Sequence, residues 1–239
     1  MPNSVLFEID GRTALITLNR PERRNAINQE LLIGLYDALD DVRTNDAIRV
    51  AIITGAGKSF CSGIDLKALS TDNLLYPRGD GQDLPGVISD FGKPIIGAVN
   101  GHTMTGGLEI ALQCDFLIAS ERAFFADTHA KVGIHPGWGM SQLLQEAVGI
   151  RRARQMSYAC QLISAETAYQ WGLVNEIVPH DKLIQRVKQI AAEICEVNQQ
   201  TLKVFEELIG STREVSITRA LALERLGFER KAKGNIFKE

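Results

Sequence analysis

Twice along this chain a short apolar, β-branched run ends in a glycine turn and passes into a helical pattern. The first run is Val50 to Thr54, and its turn is Phe60-Cys61-Ser62-Gly63-Ile64-Asp65-Leu66. The second run is Pro94 to Val99, and its turn is Asn100-Gly101-His102-Thr103-Met104-Thr105-Gly106-Gly107-Leu108-Glu109. Strands that alternate with helices in this way specify an α/β fold. A helix start also leaves backbone N–H groups without intrahelical partners, and those groups favour a negative ligand. Two such turns facing each other would hold one oxygen from two sides, the geometry that stabilises an enolate or oxyanion.

The rest of the chain agrees with that class. Val5 to Ile9 and Thr13 to Leu18 read as two strands joined by an Asp10-Gly11 hairpin turn. Asn28 reads as an N-cap, followed at helical spacing by Leu31, Leu32, Leu35, Leu39 and Val42. Residues 70–86 are rich in Gly, Pro and Asp and read as a long loop. Phe116 to Ala119 is a further strand. After Pro179 the pattern is almost wholly helical. Leu183, Val187, Ile190 and Ile194 make one apolar face, and Leu202, Phe205, Leu208 and Ile209 make another. Ile217, Leu221, Leu223, Leu226 and Phe228 make a third. The organisation expected is a core over residues 1–180 and a helical region over 181–239, packed on the core and on neighbouring subunits.

Composition narrows the function. With 239 residues, 45% apolar and 23% charged, the chain has the make-up of a globular protein with a substantial core. A net charge of −3 argues against nucleic acid as a general partner. No apolar run approaches the roughly 20 residues that cross a bilayer, and residues 1–20 lack the pattern of a secretion signal. The four cysteines, Cys61, Cys114, Cys160 and Cys195, show no C-x-x-C spacing. No metal site and a reducing, cytoplasmic location are therefore expected.

Two tempting motifs fail. Gly57-Lys58-Ser59 resembles the end of a phosphate-binding loop, but position 52, where that motif needs glycine, is Ile52. Ser62 is not in a G-x-S-x-G elbow, because position 60 is Phe60. The second turn keeps its meaning. If its helix starts near Gly106, Glu109 lies three residues on, and its carboxylate falls on the side of the Gly106 N–H. One helix end then supplies both an oxyanion donor and an acid or base. A plain acidic residue in a first helical turn, favoured there by the dipole, is the competing reading.

The two turns, together with Leu18-Asn19-Arg20-Pro21, Asn25-Ala26, Cys114-Asp115, Gly133-x-x-Pro136-Gly137 and Ala168-x-x-x-Gly172-Leu173-Val174, resemble the enoyl-CoA hydratase/isomerase (crotonase) family. The resemblance implies a spiral of repeated β-β-α units with a C-terminal helical region used for trimers or dimers of trimers. It implies an acyl-CoA thioester as ligand, with coenzyme A part of the substrate and no separate cofactor. It places the oxyanion donors on the amides of Ser62 and Gly106, with Gly63, Ile64 and Asp65 in the same substrate-binding turn. Glu109 matches the first catalytic glutamate. The second glutamate of the hydratases is replaced by His129, in Phe125-Ala126-Asp127-Thr128-His129. Histidine takes and gives protons near neutrality, so Glu109 and His129 still form an acid–base pair. Asp127, close by, is an alternative second carboxylate, and a purely structural His129 is the competing reading.

Arg23, Arg24, Ala26, Lys58 and Lys67 flank these motifs, the cations being suited to the coenzyme A phosphates. Trp138 either lines the acyl pocket or packs. His102, His135 and His180 carry weaker signals. The function implied is hydration of a 2-enoyl-CoA. The alternatives are isomerisation, decarboxylation or hydrolysis within the same family, or acyl-CoA binding without catalysis.

Overall fold

The computed structural model describes residues 3–89, 91–211 and 217–233. They form two compact units, the first ending at Cys195 and the second beginning at Glu196.

The first unit opens with the expected hairpin. Strand β1 (Val5–Asp10) runs antiparallel to β2 (Thr13–Leu18). Gly11 turns the chain at φ +59°, where glycine alone is unstrained. Helix α1 (Gln29–Thr44) starts at Asn28, whose side chain accepts a hydrogen bond from the Leu31 amide at 3.0 Å.

The spiral follows. β3 (Val50–Gly55) leads to β4 (Ser59–Cys61), an irregular stretch and α2 (Leu84–Ile88). β5 (Ile95–Val99) leads to β6 (His102–Met104) and α3 (Gly106–Leu112). β7 (Phe116–Ser120) leads to β8 (Phe124–Ala126) and α4 (His129–Val132). Each turn gives its first strand to a six-stranded sheet ordered β1-β2-β3-β5-β7, closed by β10 (Glu176–Val178). Each gives its second strand to a four-stranded sheet ordered β4-β6-β8, closed by β9 (Ile163–Ser164). From β2 to β10 the larger sheet is parallel throughout. Helices α5 (Met140–Val148), α6 (Ile150–Ala159) and α7 (Ala165–Trp171) complete this layer.

Parallel strands covered on both faces must be apolar on both. Val50 and Ile52 of β3 join Ile96, Ala98 and Ile118 in a cluster against α8 (Leu183–Glu196). Ala51 and Ile53 point the other way, into the main core with α1. The buried stripe of α8 is Leu183, Val187, Ala191 and Cys195, so Ile190 and Ile194 are only partly covered. That stripe ties α8 to the sheet. The compact unit thus runs past the residue-180 boundary suggested by composition.

The 70–86 segment is mostly irregular but well anchored. The Gln29 side-chain Nε2 donates to the Pro77 carbonyl at 2.7 Å, and Arg78 pairs with Asp40 at 2.6 Å. It ends in α2, which buries Leu84 and Val87 and is too short to show helical periodicity. The second unit contains α9 (Gln199–Ser211) and α10 (Ile217–Lys233). The side chains of Ile217 and Phe228 lie outside what is described.

Candidate active site

The two glycine turns meet where β4 and β6 pair side by side. Buried asparagines hold them. Asn25 donates to the carbonyls of Ala56 at 3.0 Å, Ser59 at 2.8 Å and Phe60 at 3.1 Å. Asn100 donates to Gly57 at 3.0 Å and accepts from the Gly55 amide at 3.2 Å. Carbonyls turned inward by a tight bend would otherwise be buried without donors, a cost of about 1–3 kcal/mol each. Glycine is needed where backbones touch. A Cβ on Gly101 would lie 2.1 Å from the Lys58 oxygen, and one on Gly107 would lie 2.2 Å from the Cys61 oxygen.

Among the amides of the first turn, that of Ser62 is not free. The Ser62 N–H donates to the Arg24 carbonyl at 3.1 Å, so the expected role for that amide does not hold. Ile64 bridges Ile27 in parallel, through Ile27 N to Gly63 O and Asp65 N to Ile27 O, both at 2.8 Å. In such a bridge the central residue's own N–H points to the other side. Gly106, the first residue of α3, packs against this bridge, where a Cβ on it would be 3.2 Å from Ile27 Cδ1. A Cβ placed on it would be 3.6 Å from Ile64 Cγ1 and 3.5 Å from Trp138 Cζ3. Among the described residues, neither the Ile64 nor the Gly106 amide has a hydrogen-bond acceptor.

Thr105, just before Gly106, has φ 51° and ψ −113°. That is a strained conformation for a β-branched residue. It is held by its amide, which donates to Ala126 O at 2.9 Å, and by its hydroxyl, which bonds the hydroxyl of Thr128 and accepts the Thr128 amide at 3.2 Å. One threonine pair therefore links the Gly106 turn to the turn that carries His129.

Glu109 is 1% exposed. Its Oε1 accepts from the amides of Trp138 at 2.8 Å and Met140 at 3.2 Å, at the start of α5. Its Oε2 lies 3.6 Å from Nε2 of His129. His129, first in α4, places Nδ1 2.7 Å from Asp127 Oδ1. Burial alone would favour neutral His129, but the Asp127 and Glu109 carboxylates outweigh it and raise its pKa from 6.5 to about 9. Burial also opposes the charge of Asp127, but hydrogen bonds from His129 and Ser157 hold its carboxyl below the ordinary range. The pair foreseen from sequence is in contact, and it extends to Asp127.

The remaining site residues flank this centre. Gly63 sits at φ +88°, and a Cβ there would lie 3.0 Å from Met104 O. Asp65 is occupied by Arg20 Nη2 at 3.3 Å and by the Lys67 amide at 3.2 Å, so it shapes the turn. Arg20, which sequence reasoning did not place in the site, also donates to the Ala26 carbonyl. Its only signal was its place in the Leu18-Asn19-Arg20-Pro21 motif. Arg23, Arg24 and Lys58 are exposed. Ala26 has its carbonyl taken by Arg20 and its amide by Arg23 O at 3.0 Å, so it offers a ligand shape rather than polar groups. Trp138 is buried beside Gly106. His102 stacks on Phe124 in the smaller sheet. Among the described residues, no group of three or more His, Cys, Asp and Glu side chains is arranged to hold a metal ion.

A spiral of β-β-α turns around two amides and a buried carboxylate is the arrangement of the crotonases. Residues 8–238 match the family model for enoyl-CoA hydratase/isomerase, and the chain belongs to that family. A probable peroxisomal enoyl-CoA hydratase 1 from Arabidopsis thaliana is 36% identical over 90% of this chain and 81% of its own length. A crotonyl-CoA hydratase from Syntrophomonas wolfei is 34% identical, covering 94% of this chain and 88% of its own. The crystal structure of an enoyl-CoA hydratase from Mycobacterium tuberculosis superposes with a TM-score of 0.80 at 40% identity, covering 96% of this chain and 99% of that one.

Proposed function

We propose that the protein is an enoyl-CoA hydratase that adds water to a 2-enoyl-CoA. The thioester oxygen sits between the amides of Ile64 and Gly106. Glu109 takes a proton from water, whose oxygen bonds to C3 while the C2–C3 double bond becomes an enolate. The two amides and the α3 terminus hold the charge that gathers on the oxygen, and each such donor contributes roughly 3 kcal/mol to barrier lowering. His129 then gives its Nε2 proton to C2. Atoms and charge balance with one water added, so the chemistry closes without a cofactor beyond the coenzyme A of the substrate. The observation that carries this reading is the pair of unpartnered amides beside the buried Glu109–His129 contact.

Arg23, Arg24 and Lys58 are proposed to meet the coenzyme A phosphates, since all three are exposed and lie on the turns that form the cradle. Phe205, Ile209, Leu221 and Leu226 of the second unit are exposed apolar residues, and burying them against other copies in a trimer or hexamer is the proposed assembly. Among the described residues no helix is long and apolar enough to cross a membrane. The cysteines are unpaired, which supports a reducing compartment such as the cytoplasm. The reading is tested by mass spectrometry of products from a panel of CoA thioesters. A 2-enoyl-CoA should gain the mass of one water. Isomerisation, loss of carbon dioxide, release of free coenzyme A, or binding without turnover would each overturn it.

A further inference from the structure

In the mechanism above Asp127 has no task, yet it is among the most committed groups in the site. Its side chain is 6% exposed and lies 2.7 Å from Nδ1 of His129, and it also accepts the His129 amide at 3.1 Å. Ser157, on the helix α6 that packs against α4, also favours the charged carboxylate. The imidazole is thus set between two carboxylates, Asp127 at Nδ1 and Glu109 at Nε2, the latter 3.6 Å away. Among the described residues, Asp127 and Glu109 are the charged groups that act on the ring; Lys131, on the same short helix, is exposed.

Resting on the hydratase reading, we propose that Asp127 is a positioning residue. It keeps a proton on Nδ1 and turns Nε2 towards Glu109, so that the two catalytic groups exchange a proton directly and the pair is restored after each turnover. During hydration Glu109 gains one proton from water and His129 loses one from Nε2 to C2. Afterwards the proton on Glu109 Oε2 moves to His129 Nε2, which restores carboxylate and imidazolium. No proton enters or leaves in the sum. Separations of this size between catalytic groups commonly shorten when the reacting complex forms. The two carboxylates beside the ring favour its protonated form, which draws the transfer towards His129. A neutral ring with its proton on Nε2 could not accept the proton held by Glu109, and fixing the proton on Nδ1 removes that form.

Two measurements test this. In the wild-type protein, nitrogen-15 spectra of the imidazole should show His129 protonated on Nδ1 in both of its charge states and titrating near pH 9. A neutral Nε2–H form at pH 7.5 would overturn the proposal, and this readout does not depend on activity. In kinetics, Asp127→Asn should lower kcat about 10- to 100-fold with KM within about threefold of wild type. Its kcat/KM should also begin to fall at least one pH unit lower. An Asp127→Asn enzyme with the wild-type pH profile and kcat, or one that loses only KM, would overturn it as well. If wild type hydrates but Asp127→Asn behaves like it, the Asp127 inference alone fails. If wild type hydrates nothing, the functional reading fails, and the nitrogen spectra still decide the role of Asp127.

Discussion

The two halves of the site are built from different materials. The amide cradle is backbone: Ile64 and Gly106 are placed by the Ile27 bridge, the Asn25 and Asn100 side chains, and glycines that let chains touch. The half proposed to handle protons is side chain: Asp127, His129 and Glu109 in a buried row. Backbone donors cannot be deleted by changing a side chain, so the cradle is vulnerable to steric intrusion and its damage shows as lost stability. The row of ionisable groups is vulnerable to isosteric change and pH, and its damage shows first as lost turnover.

That contrast can be broken at either end. The largest effect is expected from Glu109→Gln, which can still accept the Trp138 and Met140 amides through its retained oxygen. Hydration of a short 2-enoyl-CoA should fall about 1,000-fold, with a melting temperature close to wild type. Equal rates would remove Glu109 from the chemistry. Gly107→Ala attacks the other half, since its Cβ would collide with the Cys61 carbonyl. We expect a loss of about 3 kcal/mol in denaturant unfolding, with activity following the folded fraction.

Next comes pH. His129 has a folded pKa raised to about 9 from 6.5. Its stabilising contribution is therefore complete below about pH 6.5 and disappears as pH rises through 9. Wild-type melting temperature should drop over that interval, and His129→Gln should flatten the drop. Asp127 acts with the opposite sign, because its carboxyl is held low: its contribution is present above the ordinary carboxylate range and is lost in acid. The smallest effect joins the two halves. Thr128→Val removes the hydroxyl that holds strained Thr105. It should cost about 1 kcal/mol of stability and lower kcat a few-fold, whereas Thr128→Ser should restore both. Unchanged kcat in Thr128→Val would show that the threonine pair does not aim the Gly106 amide.

Much of this was readable along the chain because it is local. A hairpin turn, an N-cap at Asn28, the β-branched strands and the i, i+3 step from Gly106 to Glu109 each depend on neighbours a few residues away. The Glu109–His129 pair came from resemblance, and its partner Asp127 was visible only as a nearby acid. Arg20 was visible only as part of the Leu18-Asn19-Arg20-Pro21 motif, because a salt bridge to Asp65 leaves no trace in spacing. The five-residue α2 lacks the length for a period to show.

By itself the sequence determined the α/β alternation, the two glycine turns and the acid at the mouth of the second, since dihedral preference and periodicity act over short distances. Only tertiary structure decided that Ile64 rather than Ser62 keeps its amide free, that Asp127 backs His129, and that α8 belongs with the sheet. Each of those depends on which distant group arrives to satisfy a donor, a charge or an apolar face. A hydrogen bond or an ion pair is chosen by proximity in space, and proximity is set only once the chain has closed on itself.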